Sequence, residues 1–387
     1  MEFVNDLRAS RVHGRAFAVQ GMCVGAFAAY APQLKAHAGL GDAEFGLALL
    51  VGAMGAVLAM WLAPRMDRVL GMRAMQVCAL LMAAAFILPG VAMNWPAFAA
   101  AAFLGAGASG LLDVVMNSRL SALEARSGRS LMNLNHGLFS LAYAVSALGA
   151  GVLREAGVGP VACFAGLVGL TGLLALGMRD PTPPLAEPEG DAPPAAVPVA
   201  MIGLAGGIVL IAFTAEQATE NWSALHLERA FGASAAAGAL GPAILGLTMA
   251  FGRLCGQLLI QRVAEGWLMQ IAAILAAFGL ALAALAPVQG LAYAGFAILG
   301  LGVSVIGPTA LAWVGKTLPD AMRPAAISRM VMIGYCGFFV GPPVIGVLAE
   351  AFGLRAALTV MAGAVLLIAL VLVPALRATA RRGRALA

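Results

Sequence analysis

Leu104-Gly105-Ala106-Gly107-Ala108-Ser109 returns 195 residues later as Leu299-Gly300-Leu301-Gly302-Val303-Ser304, with the Leu, both Gly and the Ser in register. The same offset sets Gly151-Val152-Leu153-Arg154-Glu155-Ala156 against Gly346-Val347-Leu348-Ala349-Glu350-Ala351. Two matches at one shift divide the chain into two copies of one unit. Between them lies the longest hydrophilic stretch, 180–198, opening Asp180-Pro181-Thr182-Pro183-Pro184, almost at the midpoint of the 387 residues. Rich in Pro, Ala and acidic residues, it reads as an extended linker. The predicted units are therefore 1–179 and 199–387, with 180–198 joining them.

Composition sets the environment of both units. The chain is 62% hydrophobic and 11% charged, with a mean hydropathy of +0.94. A soluble domain carries about 25% charged residues, so a water-soluble globule is excluded. The net charge of +5 and pI near 9.2 do not indicate a nucleic-acid partner, because too little polar surface accompanies them. Twelve apolar segments fall near 16–34, 44–63, 74–93, 96–118, 131–153, 159–178, 199–222, 234–260, 267–286, 289–313, 327–349 and 355–376. Each suits the roughly 20 residues a helix needs to cross a bilayer, and none alternates as a membrane barrel strand does.

The expected fold is an all-α membrane protein of twelve transmembrane helices in two six-helix pseudo-symmetric bundles. Counting Lys and Arg with the N-terminus inside puts seventeen on the inner side and four outside, which places both termini in the cytoplasm. The start, Met1-Glu2-Phe3-Val4-Asn5-Asp6, is acidic, and no small-residue cleavage site precedes the later spans, so the first helix reads as an anchor. Parallel repeats joined by a central linker describe an alternating-access transporter.

Few polar groups interrupt the spans, and each is a functional candidate because charge in hydrocarbon is costly. Asp113 lies about 9 Å inside the inner edge of span 4, with Asn117 four residues on and on the same face. Its alternatives are a proton site, a structural cap, or an ion pair with Arg119 or Arg129. In span 5, Asn133, His136, Ser140 and Tyr143 form a polar stripe on one helix face, placing His136 as a substrate donor, proton relay or partner of Asp113. Span 7 ends in Glu216, Glu220, Asn221 and Trp222; two carboxyls at i and i+4 repel unless one holds a proton or meets a cation. Glu216 is a second proton site or a hydroxyl acceptor, Glu220 a cavity or solvated acid, and Trp222 a stacking ring or an interface aromatic. Arg253 in span 8 reads as a gate. Arg329 in span 11 reads as a gate or an anion contact, and Gln20 in span 1 completes the cavity set.

Enzymatic chemistry finds no support. There is no nucleophile with a base, no phosphate-binding loop and no metal constellation, since His13, His37 and His226 sit near span ends. The five Cys fall singly in separate spans. No cofactor or metal is expected, and a proton is the expected coupling ion.

The stretch Ala63-Pro64-Arg65-Met66-Asp67-Arg68-Val69-Leu70-Gly71-Met72-Arg73 resembles the loop signature of the major facilitator superfamily. It lacks the leading Gly, has one extra residue before Gly71 and carries Met72 for a basic residue. The equivalent place in the second unit keeps Gly252, Arg253, Gly256 and Arg262, with Gln where the acid would stand. Tyr30-Ala31-Pro32-Gln33, Gly41-Asp42-Ala43-Glu44-Phe45-Gly46, Leu112 to Asn117, Asn135 to Leu141, and Glu216 with Asn221-Trp222-Ser223 resemble the fucose-permease-like, YbjJ-type branch. The resemblance implies that Asp113 and Asn117 match an acid-x-x-x-Asn pattern in which the acid carries the proton. It also implies that Asp67 and Arg68, assisted by Arg73, latch the inner helix ends, with Arg253 and Arg262 as second-unit counterparts. No acid lies between Arg15 and Asp42, unlike the fucose permease, which argues against fucose itself.

The expectation is a secondary transporter of a small polar, sugar-like solute across the bacterial inner membrane, by proton-coupled symport. The alternative is a proton-driven efflux antiporter of amphipathic compounds, to which the 19 Met are suited. The expected partners are the small-molecule substrate and the lipid bilayer, with no nucleic acid, and the chain is expected to act as a monomer.

Overall fold

The computed structural model describes residues 2–181, 198–260, 262–319 and 322–385. The chain runs α1 (Glu2–Ala9), α2 (Arg11–His37), α3 (Asp42–Leu70), α4 (Ala74–Ala85), α5 (Trp95–Ser127), α6 (Met132–Glu155) and α7 (Pro160–Ala175). After the central linker come α8 (Val199–Phe231), α9 (Ala235–Ile260), α10 (Glu265–Leu285), α11 (Gln289–Thr317), α12 (Arg323–Phe352), α13 (Leu354–Leu367) and α14 (Val373–Ala385). All regular structure among the described residues is helical. Among the described residues, nine helical stretches are long and apolar enough to cross a membrane, one of which, 42–91, contains both α3 and α4. The linker positions 182–197 lie outside the described residues.

Helix starts follow local chemistry. The Asn94 side chain accepts from the Ala97 N–H at 3.0 Å to cap α5, and Glu44 reaches back to the Gly41 N–H at 2.9 Å at the head of α3. Gly232 ends α8 at φ 65°, a left-handed conformation that glycine adopts without steric cost. Several helices outrun their apolar segments: α5 continues to Ser127 and α8 to Phe231. Hydropathy marks only the hydrocarbon-facing part, whereas backbone pairing carries the helix on past it. The third segment ends earlier than expected, at Ala85, and Pro89 lies in the short turn that follows.

Within the N-terminal helices, α2 packs on α6 and α3 on α5; within the C-terminal set, α10 packs on α11 and α8 on α12. The main pairings between the sets are α6 with α9 and α3 with α12. Under the 195-residue offset α3 maps onto α9 and α6 onto α12, so these two seams are images of each other. Small residues permit the closest crossings. A side chain at Gly25 would collide with the Tyr143 carbonyl, and one at Gly46 with the Pro342 carbonyl. Large apolar residues such as Trp61, Leu173 and Phe278 stay on the outside, where a lipid-facing surface needs them.

Candidate functional site

Polar groups meet at mid-length along the seams. In α8, Glu216, Gln217, Glu220 and Asn221 occupy successive positions of one helical face. Arg253 of α9 donates from Nη2 to Glu216 Oε1 at 3.2 Å and from Nη1 to Ser140 Oγ of α6 at 2.7 Å. One guanidinium therefore joins an N-terminal helix to a C-terminal acid, a geometry its planar fork suits. Beside this pair, Gln217 Nε2 donates to Glu220 Oε2 at 2.8 Å, and Asn221 Nδ2 donates to Gln217 Oε1 at 3.3 Å. Tyr143, 1% exposed, lies within electrostatic range of both carboxyls, and its hydroxyl has no hydrogen-bond partner among the described residues. His136 packs edge-on against Phe17 at 5.0 Å, within range of the Arg253 charge.

A second acid occupies the facing wall. Asp113 sits near the middle of α5, where Asn117 Nδ2 donates to its Oδ1 at 3.2 Å and to its backbone carbonyl at 2.8 Å. The Gln20 amide lies beside it while donating to Ser109 Oγ at 3.2 Å. Asp113 has no ion pair among the described residues. Arg119, the alternative partner raised from sequence, is instead turned to Asp67 at 2.8 Å and Asp180 at 3.6 Å, and Arg129 goes to Asp6 at 2.9 Å. The C-terminal helices bring Tyr335 within electrostatic range of Asp113, stacked on Phe213 at 6.0 Å with Phe338 alongside.

Other sequence candidates lie elsewhere. Asn133, Arg262 and Arg329 are exposed, as are Arg68, whose Nε donates to the Pro64 carbonyl at 3.3 Å, and Arg73. Asp67 belongs to a buried cluster at the ends of α2, α3 and α5, with Arg119, Asp180 and His13. Glu220 and Asn221 are buried, at 9% and 8% exposure, so Glu220 is not a solvated surface acid. Trp222 is fully buried edge-on to Phe45 of α3 at 5.4 Å, a packing contact between the helix sets and not an open stacking surface.

Sequence reasoning missed a polar layer at the Asp42 end. Arg154 of α6 pairs with Glu228 of α8 through two contacts of 2.5 and 2.9 Å. Arg229 forks onto Asp42 at 2.7 and 2.9 Å, and Lys35 reaches Asp42 at 3.0 Å. Glu155 accepts from Ser234 Oγ at 2.6 Å and Ala236 N–H at 2.8 Å, while Glu350 accepts from the Ala43 N–H at 2.9 Å. In sequence the only signal is the adjacent pairs Arg154-Glu155 and Glu228-Arg229 at helix ends.

The sequence and the fold match known proteins. Residues 199–386 match the Major Facilitator Superfamily. An uncharacterized MFS-type transporter of Yersinia pestis is 32% identical over 374 residues, covering 95% of this chain and 94% of that one. The membrane protein MosC of Rhizobium meliloti is 30% identical over 353 residues, covering 88% and 84%. The chain belongs to the major facilitator superfamily and is a membrane transporter, not an enzyme. Among solved structures, the nucleoside transporter NupG superposes with a TM-score of 0.71 at 15% identity, covering 97% of this chain and 99% of that one. A D-xylose-proton symporter gives 0.70 at 15% identity, covering 96% and 97%. At such identities the likeness is one of fold.

Proposed function

We propose that the chain is a proton-coupled symporter of a small polar solute in the bacterial inner membrane, working by alternating access between two six-helix bundles, 1–179 and 199–387. On this reading α2 to α13 supply twelve spans, and both termini and the linker 180–198 face the cytoplasm, where the excess of Lys and Arg belongs. The Asp42 end is then the outer end, and the described conformation is closed outside. The chain works as a monomer, as is usual in the superfamily.

The observation that carries the reading is Asp113: an acid at mid-membrane depth, held by the amides of Asn117 and Gln20 and by no cation among the described residues. Such a carboxyl is neutral when protonated and charged when not, so its occupancy changes the cost of enclosing the cavity. Glu216 takes part through Arg253: neutralising the acid frees the guanidinium and loosens its hold on Ser140 across the seam. Gln20, Asn117, Asn133, His136, Ser140, Tyr143, Glu220, Asn221 and Arg329 complete the proposed solute path, and Trp222, packed on Phe45, closes one end of it. Asp67, Arg68, Arg73, Arg253 and Arg262 act in gating. The fold is shared with a D-xylose-proton symporter, which supports the coupling.

The test begins with thermal stabilisation of purified protein by sugars, nucleosides, organic acids and lipophilic amines, because a native-state ligand raises the melting point. Any stabilising compound then enters proteoliposome flux under an imposed pH gradient. Accumulation with the proton supports symport; expulsion against it supports the antiport alternative. In Asp113→Asn, proton-driven accumulation is expected to vanish while solute exchange persists, and unaltered pH-dependent uptake overturns the role of Asp113.

A further inference from the structure

The central seam holds an excess of acid. Asp113, Glu216 and Glu220 face it, against the single guanidinium of Arg253 and an imidazole, His136, already packed on Phe17. Arg253 is committed to Glu216 and Ser140. Glu220 makes no ion pair among the described residues and shares the field of Arg253 with Glu216, its Oε2 held by Gln217 Nε2 at 2.8 Å and Gln217 held in turn by Asn221 at 3.3 Å. This relay of amides aims the carboxyl and leaves Oε1 without a hydrogen-bond partner among the described residues.

A second observation converges on the same spot. Tyr143 is 1% exposed and its hydroxyl is unpartnered among the described residues; it stands about one turn beyond Ser140 on α6, as Glu220 stands about one turn beyond Glu216 on α8, the two residues that Arg253 bridges. Its position is fixed: Gly21 and Gly25 let the α6 backbone sit against α2, and Gly246 makes room for the ring against α9. Leaving a buried hydroxyl unpaired costs free energy, and the Glu220 carboxyl keeps a second oxygen able to accept, so both are suited to a ligand group that engages them together. A hydroxyl donor supplies one hydrogen and meets one of them. An ammonium supplies three, carries the missing positive charge, and makes charge-assisted bonds about twice as strong as neutral ones.

We propose that Glu220 and Tyr143 form a subsite for a protonated amine carried by the transported solute. This deepens the transporter reading and rests on it. The subsite selects solute charge, whereas Asp113 couples the proton, so the two assignments fail separately.

The probes are two matched sets: glucosamine, glucose and glucuronate; and phenylethylamine, phenylethanol and phenylacetate. Binding is read by thermal stabilisation and by direct titration of the full chain in detergent. The expected result is that an amine binds about tenfold or more tighter than its neutral and anionic counterparts, the scale of a hydrogen bond to a charged group. In Glu220→Gln that preference is expected to collapse while the neutral member keeps its affinity, Glu220→Asp restores part of it, and Tyr143→Phe weakens the amine severalfold. A neutral or anionic winner in both sets, no binding by either amine, or an undiminished amine preference in Glu220→Gln each overturns the proposal. If Glu220→Gln does not fold, the wild-type ranking and Tyr143→Phe still decide. Asp113→Asn is expected to retain the amine preference; lost coupling with retained preference, or the reverse, separates the subsite from the proton reading.

Discussion

The two ends of the helix assembly are tied in opposite ways. At the Asp42 end described ion pairs join N-terminal to C-terminal helices: Arg154 with Glu228, and Arg229 with Asp42, near the Phe45 and Trp222 contact. At the Asp67 end the described pairs stay within one set: Arg119 with Asp67 and Asp180, His13 with Asp180, and Lys316 with Glu265. In the proposed rocking cycle, interactions that cross the seam exist in only one conformation, so they tune which state is populated. Interactions within one set persist through the cycle, so they set stability. The same residue types do different work according to which side of the seam their partners occupy.

Trp222→Ala attacks the comparison most strongly. The loss of a fully buried aromatic between the helix sets is expected to cost the closed state about 3–5 kcal/mol, roughly two to four powers of ten in population. On a cysteine-free background, Asn221→Cys beneath the plug is then expected to react with an impermeant alkylating reagent that leaves the parent untouched. Unchanged protection means that the Trp222 contact does not seal this end.

Arg119→Ala tests the opposite end. Removing one partner from a buried charge cluster is expected to destabilise by about 3–5 kcal/mol, because Asp67 loses the guanidinium that compensates it. The signature is a lowered melting temperature with unchanged alkylation at position 221. A shift in accessibility with full stability would show that this cluster also belongs to the switch.

Arg229→Ala sharpens the contrast at smaller scale. The Arg229 side chain is 45% exposed, so its pair is worth about 1 kcal/mol, roughly fivefold in the ratio of open to closed states. The effect should shrink at high salt. Smallest of all, Arg68→Ala removes an exposed side chain bonded only to the Pro64 carbonyl and is expected to change stability by less than about 0.5 kcal/mol. If transport falls sharply while stability holds, Arg68 gates in the other conformation, as its loop position implies.

The candidates legible in the sequence were those whose local setting is anomalous. Asp113, Glu216 and Arg253 stand out as charges in hydrocarbon, and the spacing of His136, Ser140 and Tyr143 marks one helix face. Arg154, Glu228, Arg229 and Asp42 were not legible in this way. At helix ends they look like topology-setting charge, and their partners lie 74 and 187 residues away in the chain. Phe213 and Tyr335 were equally silent, since an aromatic in an apolar span carries no local mark of facing an acid. The fate of Trp222 also needed tertiary structure, because burial against Phe45 comes from a helix of the other set.

By itself the sequence determined the environment and the helical class, because bilayer thickness and unsatisfied backbone groups leave a strongly apolar chain almost no other choice. It also located the acids that such an environment makes expensive. Tertiary structure alone decided which cation meets which carboxyl, which buried hydroxyl stays unpaired among the described residues and at which end ion pairs cross the seam. Those outcomes depend on how two helix sets meet across a seam, and pairing at a few ångströms between distant residues leaves no trace in local composition or period.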